Sequence, residues 1–307
     1  MRLRWAALYF NMIDKLELLL ALSRERHFRR AAESCGVSQP TLSASLKSLE
    51  EQLGVLIVER GSRFIGFTPE GERILDWARR IVGDARTMRQ EIDALKLGLS
   101  GHLRLGVIPT ALPFVPNLSL RFKAKHGGVG LAVLSMPSDA ILSKLDDIEL
   151  DVGISYIDTE PLQRFQTVQL YEERYALLVS PDSPLAKRDT ITWAEAASLP
   201  LCLLTKDMQN RRIIDRHLAE QGRQVTPSIE SNSMMMLHVH VRTGDWATIA
   251  ALGAGQQFEP PMQLKAIALI EPTVTHQIGL ILKSREPHPP TVSAFLACAR
   301  KLEKVQA

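Results

Sequence analysis

The stretch from Phe28 to Glu50 constrains this chain more than any other, because it spells a helix, a glycine turn and a second helix whose apolar and polar residues fall on separate faces. Gly36 can take the positive φ that ends a helix, and Ser38 offers a side-chain oxygen to cap the helix that comes after it. Pro40 suits the first turn, where a missing N–H costs nothing. Along the second helix Leu42, Leu46, Leu49 and Leu53 recur at three- and four-residue spacing, which predicts one buried stripe. Ala31 and Ala32 are small enough to let the first helix approach the second closely. Another face carries Gln39, Ser43 and Lys47. Gln pairs bidentately with adenine, Ser bonds to either partner and Lys reaches guanine or a phosphate, so this face suits a DNA major groove. A helical hairpin with a merely solvated polar face would share the pattern, and the segment from residue 55 onward separates the two.

Leu53-Gly54 closes the helix, and residues 55–68 then give an apolar run, a Gly61-Ser62 turn and a second run from Phe64 to Thr68. That is the pattern of a two-stranded wing, with Arg60 and Arg63 flanking its turn within reach of phosphate or a minor groove. A third helix opens at Thr68-Pro69-Glu70, with a capping Thr, Pro at the first helical position and an acid in the first turn. Ile74, Ala78, Ile81, Ala85, Met88, Ile92 and Leu95 then step by four and three, the repeat of a coiled-coil seam. The seam predicts a dimer paired through this helix. The competing reading is a long helix docked on its own domain.

Residues 12 to about 97 closely resemble the N-terminal half of LysR-type transcriptional regulators, a winged helix-turn-helix followed by a long linker helix that pairs two subunits. The resemblance rests on Ala31-Ala32, Val37-Ser38-Gln39-Pro40-Thr41-Leu42-Ser43, Leu49-Glu50-Glu51, Leu53-Gly54, Glu59-Arg60 and Thr68-Pro69-Glu70-Gly71. One departure matters: the position after Ser43 often carries a long polar or basic side chain in this family, and here it is Ala44. Base reading is therefore expected to rest on Gln39, Pro40, Thr41 and Ser43, with Ser38 and Lys47 beside them and Arg60 and Arg63 on the backbone. The resemblance begins at Met12, so residues 1–11 are read as an N-terminal extension, and whether Met1 or Met12 is the start stays open.

Bulk charge would not have revealed this. The net charge is +3, and residues 12–99 hold 14 basic and 13 acidic side chains. The basic residues that matter are local: Arg24, Arg26, Arg29, Arg30 and Lys47 fall in the helix pair. A length of 307 residues with 45% hydrophobic content can fill two cores. The opening MRLRWAALYFN looks a little like a signal peptide, yet Asp14, Lys15 and Glu17 come next without a small-residue cleavage site. No run of about 20 apolar residues exists to cross a membrane. Three widely spaced cysteines support neither a disulfide framework nor a zinc ribbon, and a reducing cytoplasm is the expected location.

Gly98-Leu99-Ser100-Gly101 breaks the linker helix, and short apolar strands then alternate with helical segments: His102 to Ile108, Gly130 to Leu134, Leu150 to Ser155, Tyr175 to Val179. In such α/β folds ligands collect at strand carboxyl ends and helix N-termini. Hydroxyls stand there in series: Pro109-Thr110 after the first strand, Met136-Pro137-Ser138 after the second, Ser155-Tyr156 after the third, and Thr205 after Leu201 to Leu204. Singly each is a helix cap or loop residue; together they outline a small-ligand cleft.

The order of these elements resembles the LysR-type effector domain, which is similar to type 2 periplasmic binding proteins: two α/β lobes, two crossing strands and a ligand between. The expected division is a DNA-binding domain over 12–69, a linker helix over 70–99 and an effector domain over 100–307. Within the last, lobe I takes 101–162 and 270–307, and lobe II takes 163–269. The resemblance places Thr110, Ser138 and Thr205 at effector-contact positions, with Pro109, Tyr156 and Ser233 as further candidates. Hydroxyls aimed from helix N-termini suit a small oxyanion, so an anionic metabolite is expected. The partners so implied are double-stranded promoter DNA, the effector, a second copy paired through the linker helix and a tetramer beyond it, with RNA polymerase a further candidate.

No nucleophile–base set, paired-carboxylate signature, phosphate-binding loop or zinc-protease motif is found, so neither an enzyme nor a cofactor is expected. His238 and His240 would share a face on a strand, but the resemblance puts them on a helix, where i and i+2 point apart, and no metal is expected there. Some relatives in this family sense peroxide through cysteines. Cys202, at the start of an apolar run, is read instead as a small core residue, and Met234-Met235-Met236 as helix packing.

Overall fold

The computed structural model describes the backbone of residues 2–60, 64–159, 162–253 and 263–306, and side chains from 12 to 301 apart from 60–63, 160–161 and 254–262. The chain divides into two units. The first takes Met1–Gly98 with Asp146–Glu149 and Pro287–Pro290, and the second takes the remainder.

The first unit holds α1 (Arg2–Glu25), α2 (Phe28–Ser34), α3 (Gln39–Leu53), β1 (Val58–Arg60), β2 (Phe64–Phe67) and α4 (Pro69–Leu97). Its core joins Leu19 and Leu22 of α1, Ala31 and Ala32 of α2, Leu42, Leu46 and Leu49 of α3, Ile57, and Leu75, Ala78 and Val82 of α4. Gly36 (φ 68°) and Gly54 (φ 71°) take the left-handed conformation at the two helix ends, as the turn chemistry requires. Leu53 departs from the predicted stripe. It is exposed, because α3 reaches its last turn beyond the elements that cover Leu42 to Leu49.

Two contacts seat the wing. The buried Glu50 carboxylate accepts the N–H groups of Ile57 (3.0 Å) and Val58 (3.1 Å), binding the end of α3 to the start of β1. Phe28 of α2, Phe64 and Phe67 meet edge to face at 6.2 and 5.2 Å. β1 and β2 are antiparallel, pairing Val58 with Phe67 and Glu59 with Gly66. The expected Gly61-Ser62 turn lies outside the described residues. At the entry to α4, Thr68 accepts the Gly71 N–H (2.9 Å), and a Cβ at position 71 would collide with the Ile57 carbonyl, which explains the glycine after Thr68-Pro69-Glu70.

α4 runs 29 residues, and its faces diverge along its length. Leu75, Ala78 and Val82 pack on the unit's own core, so the docked reading holds for the first half. Ile81, Met88, Ile92 and Leu95 of the expected seam are exposed within the single chain, together with Trp77.

The second unit runs through β3 (Gly101–Val107), α5 (Val115–Lys125), β4 (Val129–Ser135), α6 (Ser138–Asp146), β5 (Val152–Tyr156), β6 (Phe165–Val179), β7 (Thr190–Thr192), α7 (Trp193–Ala196), β8 (Cys202–Leu204), α8 (Gln209–Glu220), β9 (Ile229–Ser231), α9 (Met234–Thr243), β10 (Thr248–Gly253), β11 (Lys265–Ile270), β12 (Thr275–Lys283) and α10 (Pro290–Gln306). One mixed sheet runs β4-β3-β5-β12-β6-β11-β7, with β10 also on β6, and β8 and β9 form a small parallel pair. β6 is 15 residues long. Its first part lies against β12 and its second against β10 and β11, so it passes from one lobe into the other.

Each lobe has a polar tie that fixes the strand ends. In lobe I, Asp151 accepts the Arg104 guanidinium at 3.0 and 2.9 Å and the Arg104 N–H at 2.8 Å, holding β5 to β3. In lobe II the fully buried Arg211 donates to the Leu204 carbonyl and to Glu230, both at 2.6 Å, and to Asp215 at 2.8 Å. That arginine locks α8 onto β8 and β9 and so sets the path of residues 205–210. His238 and His240 lie on helix α9. Met235 and Met236 are exposed there, so the methionine run is not all helix packing. Met234 alone of the three packs inward, because one side of α9 meets the sheet.

Candidate DNA-reading face and effector cleft

The N-terminus of α3 is built by its cap. Ser38 Oγ accepts the Thr41 N–H at 3.2 Å and lies 2.8 Å from the Thr41 hydroxyl, so these two side chains are spent mainly on ordering the helix start. Gln39, Pro40, Thr41, Ala44 and Lys47 are exposed, and Ser43 is half-buried. Lys47 sits 3.9 Å from Glu51 in an exposed pair, a contact weak enough to yield to a phosphate. Arg60 closes β1 with its side chain outside the described residues, and Arg63 lies outside them altogether.

Three chain segments and the end of β5 meet between the lobes to form a cleft lined by Ile108, Pro109, Thr110, Pro137, Ser138, Tyr156, Leu204, Met208, Gln209 and Asn210. The cavity is about 10 Å³, room for roughly one water molecule. Of the six expected effector residues, Pro109, Thr110, Ser138 and Tyr156 are brought together here. Thr205 is adjacent to the lining through Leu204, and its hydroxyl is buried without a hydrogen-bond partner among the described residues. Ser233 is not a lining residue. It is exposed and caps α9 by accepting the Met236 N–H at 3.4 Å.

No lining residue carries a formal charge. Ser138 is the first residue of α6 and Gln209 the first of α8, so two helix N-termini border the space. The Ser138 hydroxyl is buried and, among the described residues, has no hydrogen-bond partner, while the buried Thr110 hydroxyl is directed at the Tyr156 and Glu173 side chains. Behind the lining stands Glu173 of β6, buried, which the sequence did not single out. Its carboxylate accepts the hydroxyls of Tyr156 (3.0 Å) and Tyr171 (3.3 Å), and Asn210 donates to the Tyr156 oxygen at 3.2 Å. Burial pushes the Glu173 carboxyl up to about 7 against the opposing pull of the Tyr156 hydroxyl, and burial followed by the Glu173 charge raises Tyr156 well above the ordinary tyrosine value. A chain of hydrogen bonds therefore runs from α8 of lobe II through Tyr156 of lobe I to the strand that crosses between them.

Comparison with known proteins agrees with this architecture. The family model for the bacterial regulatory helix-turn-helix protein, lysR family, matches residues 13–72, and that for the LysR substrate binding domain matches residues 96–303. The chain is 29% identical over 276 residues, 90% of each protein, to the DNA-binding transcriptional dual regulator OxyR of Escherichia coli (strain K12). It is 27% identical over 298 residues, 94% of each, to a probable nitrogen assimilation transcriptional activator of Synechococcus elongatus. Among solved structures, a full-length OxyR variant from Pseudomonas aeruginosa superposes with a TM-score of 0.71 at 26% identity, covering 94% of this chain and 97% of that one. CbnR in complex with its target DNA shares the fold, with a TM-score of 0.59 at 20% identity over 94% of this chain and 99% of that one. With both of its halves matched, the chain belongs to the LysR family of transcriptional regulators.

Proposed function

We propose that this regulator binds promoter DNA as an oligomer and changes transcription when a small anionic metabolite enters the cleft. The observation that carries the effector reading is an uncharged lining at two helix N-termini, holding the buried, unpartnered hydroxyl of Ser138. Helix N-termini and hydroxyl donors stabilise a carboxylate or similar oxyanion without requiring a cation. A cavity of about 10 Å³ is too small for a metabolite, so binding is coupled to a wider separation of the lobes. A ligand that prefers that wider state shifts the population toward it.

Gln39 and Ser43 on α3 are the base-reading residues in this proposal, with Pro40 and Thr41 at the helix start and Lys47, Arg60 and Arg63 on phosphate. The exposed Ile81, Met88, Ile92 and Leu95 supply the dimer seam. Similar proteins are named as activators of hydrogen peroxide-inducible genes. Thiol chemistry does not carry over readily. Burial pushes the Cys202 thiol up to about 11, Cys298 is buried and Cys35 is half-buried, so none of the three is an openly exposed thiol.

The test is a thermal-shift panel of small carboxylates, each beside its methyl ester or amide, on the full chain. A ligand that binds only the native state raises Tm through mass action. The expected result is a shift for a carboxylate, absent for its neutral partner and lost in Ser138→Ala. A panel in which only neutral or cationic compounds stabilise the protein overturns the anionic reading.

A further inference from the structure

The lining of the cleft is uncharged, yet its rim carries a charge from each lobe. Asp139 is the second residue of α6, next to the lining residue Ser138, and Arg212 lies one turn along α8 from the lining residue Gln209. Nη2 of Arg212 stands 3.5 Å from Asp139 Oδ1, and the two side chains are 37% and 70% exposed. The other contacts of this arginine are shorter and uncharged. Its Nε donates to Gln209 Oε1 at 2.7 Å and its Nη1 to the Asp207 carbonyl at 2.8 Å. With its oxygen on Arg212, the Gln209 amide turns its nitrogen to the Thr159 hydroxyl, 3.2 Å away. Thr159, Gln209, Arg212 and Asp139 therefore form a hydrogen-bonded band that crosses from lobe I to lobe II and back.

Two adjacent arginines have opposite fates here. Arg211 is drawn into the core and answered by Asp215 and Glu230. Arg212 stays at the rim, where neutral acceptors hold its guanidinium in place without cancelling its charge. Among the described residues the carboxylate on it is that of Asp139, at the longest of its contacts. A long contact between exposed groups is weak, whereas a ligand carboxylate free to turn can meet a guanidinium with two parallel hydrogen bonds. The widening of the lobes that admits a ligand also parts Asp139 from Arg212, so one movement opens the cleft and frees the cation. Asp139 is not stranded by the exchange, since the first turn of α6 favours an acid.

We propose that the effector is a dicarboxylate: one carboxylate at Ser138 and the N-terminus of α6, a hydrocarbon spacer against the apolar lining of Ile108, Pro109, Pro137, Leu204 and Met208, and the second carboxylate on Arg212 in place of Asp139. This rests on the anionic reading of the cleft, and adds to it a second anion and the residue that selects it. Arg212 is then a specificity residue, and Asp139 is the built-in competitor that excludes ligands lacking the second charge.

The experiment is a calorimetric titration of the full chain with the unbranched dicarboxylates from succinate to suberate, each beside its monomethyl ester, at a pH where the free carboxyls are ionised. The ester keeps the length and one charge, so the ratio of the two affinities isolates the second carboxylate. A change in lobe separation acts on both ligands and cancels in that ratio. In the parent chain one diacid is expected to bind about fivefold or more tighter than its ester. Arg212→Gln should bring the two together, and Asp139→Asn should widen the gap, while Ser138→Ala weakens both ligands alike. A ratio near one in the parent, or one that Arg212→Gln leaves unchanged, overturns the dicarboxylate proposal and leaves the anionic reading standing. So does a ratio that Arg212→Gln and Asp139→Asn move in the same direction, since the pair would then be a latch and nothing more. If neither diacids nor esters bind, the anionic reading falls and the proposal falls with it.

Discussion

In residues 28–54 each element is begun or ended by a residue of its own, Ser38 and Pro40 at one end of α3 and Gly54 at the other, with Gly36 in the turn before it. The effector cleft is assembled differently, from segments that run from Ile108 to Asn210 and meet only because a mixed sheet brings their ends together. The first kind of site is specified locally and should tolerate insult elsewhere in the chain. The second depends on part-buried polar ties, Arg104 with Asp151 and Arg211 with Glu230, that lie outside the lining. Damage to them should therefore disturb a site they do not touch.

The largest expected effects come from buried carboxylates, one in each unit. Glu50→Ala leaves the N–H groups of Ile57 and Val58 unpaired, and should cost about 3 kcal/mol in the first unit by chemical denaturation. A loss under about 1 kcal/mol would mean that the wing needs no anchor on α3. Glu173→Gln probes the second unit through pH. The folded carboxyl titrates near 7 rather than 4.5, so the native state binds the proton more tightly than the unfolded chain does. No penalty exists below about pH 4.5. It grows as pH rises from there through 7, to about 3 kcal/mol. The glutamine variant should therefore gain on the parent progressively across that window, and a pH-independent difference would show that Glu173 is not a buried titrating group.

Smaller effects separate reading from ordering at the DNA face. Gln39→Ala should weaken binding to a specific site by about 1–3 kcal/mol in a salt-controlled titration, with little change on scrambled DNA. Equal loss on both would remove Gln39 from base reading. Ser38→Ala should act through the cap instead, lowering stability by about 1 kcal/mol and weakening both kinds of DNA alike. Selective loss of the specific site in that variant would reverse the assignment.

Much of the first unit was legible because its signals are short-range. Gly36, Ser38, Gly54 and Thr68 take the conformations and caps that their side chains favour. Leu53 and the exposed half of the α4 seam mark the limit of that reasoning, since periodicity names a face but not the extent of what covers it. In the second unit strand ends with hydroxyls pointed to Thr110 and Ser138. Nothing local pointed to Glu173, Gln209 or Asn210. The polar first part of β6, from Phe165 to Arg174, hides the strand that carries Glu173, and its burial results from β12 packing beside it. Gln209 and Asn210 reach the cleft only because Arg211, the next residue, is drawn into the core.

β6 also limits how the effector unit can move. Its pairing with β12 extends from Phe165–Lys283 to Arg174–Thr275, interrupted where Leu170 is left over opposite Ile278 and Gly279, and a Cβ at position 279 would come within 2.6 Å of the Val168 carbonyl. Sliding these strands by one residue would turn every buried side chain outward, so translation along them is closed off. What remains is torsion about the strand pair at the irregularity. Under the proposed opening of the cleft, the lobes would be coupled as by a torsion bar, and the size of molecule admitted would be set by how far one short stretch of backbone can be wound.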